Sequence, residues 1–211
     1  MMDQNFQKIL GQDELIPEKP FTHTDYIHKD QEILVHMGKR ICEIMETYRE
    51  ELQKGLRLDI EEPDGRSHRF LVPNPTKLLD TSNIYFVGFF GQKRAGKDSA
   101  YFGGVDDRLV GQIPKYPEIL SYSTMAMENG DFSNLVLVSD EEIKLKWMDG
   151  EIHKRAVSRS PGYYRSIRIN NGVLPDGIIQ YETLQINKVK YYDYNEEPPW
   201  KALRRLTGYL S

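Results

Sequence analysis

Two strand–helix–strand units of similar proportions follow one another between Asn83 and Leu174, and they constrain the fold more than any other feature. Ile84-Tyr85-Phe86-Val87-Gly88-Phe89-Phe90 is apolar on both faces, as a strand covered on both sides must be. A loop rich in small residues, Gly91 to Gly104, leads to a short helix from Asp106 that carries Leu109, Val110 and Ile113 and is closed by Pro114 and Pro117. Ile119–Met127 and Phe132–Ser139 then alternate around the tip Glu128-Asn129-Gly130-Asp131, a strong hairpin signal. Ser139-Asp140-Glu141-Glu142 has the spacing of a capping box, in which Ser139 accepts from the amide of Glu142. The helix it opens carries Ile143, Trp147, Ile152 and Ala156, breaks at Gly150 and stops at Pro161-Gly162. Tyr163–Asn170 returns as a fourth strand. The order β-α-β-β-α-β predicts an α+β fold with a ferredoxin-like core.

The flanks predict additions to that core. Residues 1–29 are polar, contain Pro17 and Pro20, and read as an arm held only by what it packs on. Ile33, Met37, Ile41, Ile44, Tyr48 and Leu52 recur at three- and four-residue steps, which predicts one long helix over 30–54 that covers an apolar surface. Leu56–Ile60 and His68–Val72 alternate around Asp64-Gly65, a hairpin over 56–72. After the core, Ile178–Tyr194 reads as a strand, and a short helix is expected around Trp200–Leu210. The simplest division is an N-terminal extension over 1–82 and the α+β domain with its C-terminal extension over 83–211.

Composition narrows the function classes. With a net charge of −4 and basic residues scattered among acids, the chain lacks the stripe of a nucleic-acid binder. The longest apolar run, Ile84–Phe90, is far short of the ~20 residues of a membrane helix, so no membrane partner is expected. A single cysteine, Cys42 on the apolar side of the long helix, forbids an internal disulfide and fits a reducing cytoplasm. His23, His28, His36, His68 and His153 show none of the short spacings of a helical zinc motif, and no dedicated zinc site is expected.

Gly91-Gln92-Lys93-Arg94-Ala95-Gly96-Lys97-Asp98-Ser99 nearly matches a phosphate loop, in which backbone amides cradle phosphates and Lys97 would reach the terminal ones. Asp98 takes the hydroxyl position, which resembles the variant loop of some small-molecule kinases. Against it, such a loop must open a helix aimed at the anion, and Gly103-Gly104 follows closely. The antiparallel hairpin at 119–139 also conflicts with a parallel kinase sheet.

The segment Leu135–Glu142, with Trp147, His153 and then Tyr163-Tyr164-Arg165-Ser166, resembles the dimeric α+β barrel superfamily. That group holds antibiotic-biosynthesis-type and haem-degrading monooxygenases. The likeness spans about 90 residues and implies a homodimer in which sheet packs on sheet, with a small-molecule pocket between sheet and helices. It implies that Trp147 packs helix to sheet and that His153 serves as an acid, base or substrate contact. Val157 stands where the haem-degrading members carry their iron ligand, so haem is disfavoured and no cofactor is expected.

Alternation supplies further candidates: Tyr164, Ser166, Arg168 and Asn170 on one side of the fourth strand, Tyr122 and Thr124 on the second, and Phe132 and Asn134 on the third. The leading expectation is a small-molecule-binding barrel, a cofactor-free monooxygenase for an aromatic or anionic substrate. In it His153, Tyr164 and Arg168 are catalytic and Tyr122, Asn134 and Trp147 hold the substrate. One alternative is a non-catalytic dimeric module whose long helix docks a partner. The other is a kinase using Gly91–Ser99.

Overall fold

A computed structural model of the protein describes residues 6–50, 55–97, 100–127 and 130–207, with the side chains of residues 100–103 and 105 left aside. One mixed sheet of nine strands runs through the whole of it: β1 (Lys8–Leu10), β2 (Leu56–Glu61), β3 (Ser67–Val72), β4 (Ile84–Lys93), β5 (Ile119–Ala126), β6 (Phe132–Val138), β7 (Tyr164–Leu174), β8 (Gln185–Asp193) and β9 (Trp200–Arg205). Their spatial order is β1-β9-β8-β7-β4-β6-β5-β3-β2. Among the described residues the α-helices are α1 (Thr24–Thr47), α2 (Pro75–Asp80), α3 (Ala100–Val110), α4 (Ile143–Asp149) and α5 (Glu151–Tyr163).

β4 occupies the centre of the sheet and runs antiparallel to both neighbours, β6 and β7. Its two-sided apolarity follows from this position. Ile84, Phe86 and Phe90 join the core under α1, while Tyr85 and Phe89 pack with the clusters on the other face. The hairpin of β2 and β3 is not a separate unit, because β3 pairs directly with β5.

α1 lies across one face of the sheet. Ile27, Leu34, Met37, Ile41 and Ile44 are buried there against Phe70, Phe86, Leu135, Leu137 and Val189. Each such side chain contributes about 1.5–3 kcal/mol when removed from water. At Gly88 the helix comes so near that an added Cβ would stand 2.8 Å from the Leu34 methyls. Among the described residues, this face therefore offers no open apolar sheet to a second chain. The opposite face carries α3, α4 and α5.

Several elements depart from expectation for identifiable reasons. α1 begins at Thr24 rather than residue 30, because Ile27 and Asp30 continue its buried side one turn back. Leu52 and Lys54, expected in the same helix, lie outside the described residues, as do Asp98 and Ser99 of the loop and Glu128 and Asn129 of the hairpin tip. The expected capping box is not formed: the N-cap of α4 is Glu142, without a side-chain cap. Asp140 accepts from the Glu142 amide at 2.9 Å in the turn before the helix, and the Ser139 hydroxyl turns to the carbonyl of Glu118. The break at Gly150 is present, with extended backbone (φ −61°, ψ 136°) between α4 and α5.

At the C-terminus the expected strand begins later, since Ile178–Thr183 forms a 3-10 turn. The expected helix after Trp200 is strand β9 instead. Trp-Lys-Ala-Leu-Arg-Arg has good helix propensity, but pairing with β8 and β1 overrides it. The strand also lets fully buried Arg204 donate to the carbonyls of Gln12, Glu14 and Thr22, which orders the N-terminal arm.

Candidate functional site

The face under α3, α4 and α5 differs from a closed core. Phe89 (β4), Asn134 and Val136 (β6), Thr124 (β5) and Ile169 (β7) are only partly covered there. Tyr122 is buried and donates to Oδ1 of Asp106 on α3 at 2.8 Å. Thr124 donates to the same oxygen at 3.1 Å, and the Asn134 amide donates to Thr124 at 3.0 Å. Arg69 on β3 closes the chain at Asp106 Oδ2 (2.7 Å) and also reaches Asp59 and Asp107. The result is a one-way series of donors, Asn134 to Thr124 to Asp106, with Tyr122 feeding the same carboxylate. Burial, reinforced by the negative charge of Asp106, holds the Tyr122 phenol well above its ordinary range, so it remains a donor.

Apolar walls flank this network. Tyr122 shares a cluster with Val110, Ile113 and Ile143, and Trp147 packs onto it through Tyr116, 5.1 Å between ring centres. His153 sits edge-on to Trp147 at 6.3 Å, and burial lowers its pKa. On the β7 side, Tyr164 and Tyr163 meet at 5.4 Å, and Phe89 lies 5.4 Å from Tyr164.

Tyr164 reaches this face because of an irregularity. The register between β4 and β7 shifts at Gln92/Lys93, and the extra residue on β7 reverses the alternation beyond Ser166. Tyr164 therefore joins Ile167 and Phe89 instead of Ser166 and Arg168. Its ring fills the space over Gly91, where an added Cβ would meet a ring carbon at 2.2 Å.

Arg168 stays on the α1 face. Its guanidinium binds Asp30 of α1 through two bonds of 2.8 and 2.6 Å, with the Asn170 amide also donating to Asp30 at 2.9 Å. Tyr26 and Phe90 lie against it at 4.6 and 5.6 Å. Burial works against its charge, yet Asp30 raises its pKa on balance, so it remains a cation. Tyr164 and Arg168, expected side by side, are thus separated by the sheet. The structure brings Tyr122, Asn134 and Trp147 to one face with His153 and Tyr164, and sets Arg168 apart.

Three participants escaped the sequence reading: Asp106, Arg69 and Lys144. Nothing local marks Asp106, because its partners arrive from β3 and β5. Lys144 is one cation on this face, lying 5.6 Å from the Tyr85 ring with its pKa lowered by burial and by Lys188 and Lys190, against the opposing pull of Glu141. Lys97 is exposed in the loop after β4, and the antiparallel neighbours of β4 do not form a kinase sheet. Val157 is 51% exposed.

No family model matches the chain, and no curated protein matches it. Solved structures similar to part of it include PA3566 from Pseudomonas aeruginosa, with 12% identity over 43% of this chain and 93% of that one (TM-score 0.39). SO0527 from Shewanella oneidensis is 10% identical over 44% of this chain and 92% of that one (TM-score 0.39). SnoaB, a cofactor-independent oxygenase from Streptomyces nogalater, is 12% identical over 44% of this chain and 90% of that one (TM-score 0.34). At such identities and TM-scores, none of these likenesses carries a functional argument.

Proposed function

We propose that the face between β4–β7 and helices α3–α5 binds a small aromatic substrate and supports its cofactor-free oxygenation. The observation that carries this reading is the half-covered apolar surface of Phe89, Val136 and Ile169 beside the donor chain that ends on Asp106. A flat phenolic ring stacks on the apolar part, beside the polar groups of Asn134 and Tyr122. His153, kept neutral by burial, takes the phenol proton. The electron-rich phenolate then reacts with dioxygen: one oxygen atom enters the ring as a quinone carbonyl, and the other leaves as water with the two hydrogens removed. Tyr164 and Trp147 wall the site, and Lys144 takes the place proposed for Arg168 in holding an anionic group.

In the same reading, β4-α3-β5-β6-α4/α5-β7, ordered β7-β4-β6-β5 in space, is a ferredoxin-like core. α1 stands where a partner's sheet would pack in a two-protomer barrel, so one chain completes the layer by itself. A second reading, a non-catalytic binding module, is favoured by one observation: Asp106 has both oxygens engaged and is not a free base.

Oxygen consumption with naphthol decides between them. The oxygenase reading expects one dioxygen consumed per quinone formed, above autoxidation, and lost in His153→Ala. Saturable binding without oxygen uptake assigns the binding module, and no binding removes both.

A further inference from the structure

On the α1 face, away from the site above, three side chains from separate elements converge: His36 of α1, Glu62 after β2 and His68 of β3. Their donor atoms all lie within 4.8 Å of one another. We propose that His36, Glu62 and His68 form a divalent transition-metal site, with zinc as the occupant its two nitrogens and one carboxylate suit best and an open fourth position for water.

The geometry supplies what such a site needs. Glu62 and His68 are buried almost completely, while His36 is 38% exposed and opens the cluster to solvent. His36 Nε2 is itself buried without a hydrogen-bond partner and faces Glu62 Oε1 at 3.9 Å. His68 Nδ1 lies 2.6 Å from that same oxygen. Ligands about 2.0–2.1 Å from a tetrahedral zinc stand about 3.3 Å apart, so seating the ion takes shifts of about an ångström.

The outer contacts also fit. His68 Nε2 is 2.7 Å from the Ser123 hydroxyl. A hydroxyl both donates and accepts. It can donate to Nε2 while Nδ1 holds its proton toward Glu62, and accept from Nε2 once Nδ1 turns to the metal. This is the orienting partner that a ligating histidine ordinarily has. Arg40 lies 3.1 Å from Glu62 Oε2 and competes with the ion, but it also pairs with Glu43 and is 25% exposed, so it can withdraw toward solvent. A bound ion would tie α1 to the β2–β3 hairpin.

The test uses the full chain freed of metal with EDTA, then titrated with cobalt(II) and zinc. One equivalent of cobalt should produce the visible absorption of a low-coordinate site, and zinc should displace it. His36→Ala, at a half-exposed position that the fold tolerates, should weaken binding at least tenfold, and Ser123→Ala about 10–100-fold through loss of the orienting bond. Arg40→Ala should tighten it. Nitrogen NMR of His68 should report the move of its proton from Nδ1 to Nε2 on zinc addition. Absence of a one-to-one cobalt spectrum in the folded wild-type chain would overturn the site, as would binding that His36→Ala and Glu62→Gln leave unchanged.

Discussion

The two faces of the sheet treat polar groups in opposite ways. Under α1, Arg168 and Asn170 are sealed in the core and both donate to the buried carboxylate of Asp30. Under α3–α5, Tyr122, Thr124 and Asn134 are arranged in a directed chain beside an apolar surface that is only partly covered. Buried ion pairs rarely add net stability but are costly to break, because the survivor is left charged and desolvated. A half-covered polar chain loses little when one link is removed, and its value lies in what it presents to a ligand. One face specifies how the helix docks, and the other is free to carry chemistry.

The sharpest way to break this contrast is Arg168→Met. Stranding Asp30 should cost about 3–5 kcal/mol in urea unfolding, and Asp30→Leu added to it should restore most of the loss. A loss under about 1 kcal/mol would mean that the pair is hydrated and the α1 face is not sealed. Next in size is Gly91→Ala. The added methyl collides with the Tyr164 ring, and overpacking of this kind costs about 1–3 kcal/mol. The penalty should vanish in a Tyr164→Ala background, whereas an undiminished penalty would place the strain elsewhere.

Smaller still is Tyr122→Phe, which removes one hydrogen bond and should cost about 1 kcal/mol. Its effect on naphthol turnover should be larger than its effect on unfolding, and the reverse ranking would make the network structural. The smallest effect concerns pH. Burial holds His153 below its ordinary value of 6.5, so the unfolded chain takes up this proton first as pH falls. The stability present above pH 6.5 should therefore be lost as pH drops through the lowered value. His153→Gln should flatten that share of the slope in unfolding measured between neutral and acidic pH.

Much of the architecture is legible in local pattern. β4 reads as a central strand from Ile84–Phe90 alone, and the break at Gly150 and the hairpins follow from turn chemistry. What is not legible is set across distance. Tyr164 changes faces because of a bulge that exists only in the pairing of β4 with β7. Arg168 looks like a clamp until Asp30, 138 residues away, is seen to claim it. β9 has the composition of a helix and becomes a strand because β8 and β1 receive it. The site shows the same division. Tyr122 and Asn134 are selected by strand alternation, but Asp106, which they converge on, has no marker in the chain. His36, Glu62 and His68 likewise share no spacing, since they meet from three elements.

The central claim is that an aromatic ligand occupies the α3–α5 face and not the α1 face. The direct measurement is quenching of Trp147 fluorescence in a Trp200→Phe chain titrated with alizarin, a planar dihydroxylated aromatic. The account predicts saturable one-to-one quenching that Asn134→Leu weakens at least tenfold and His36→Ala leaves untouched. Quenching that fails to saturate, or that responds to His36→Ala and ignores Asn134→Leu, would contradict it.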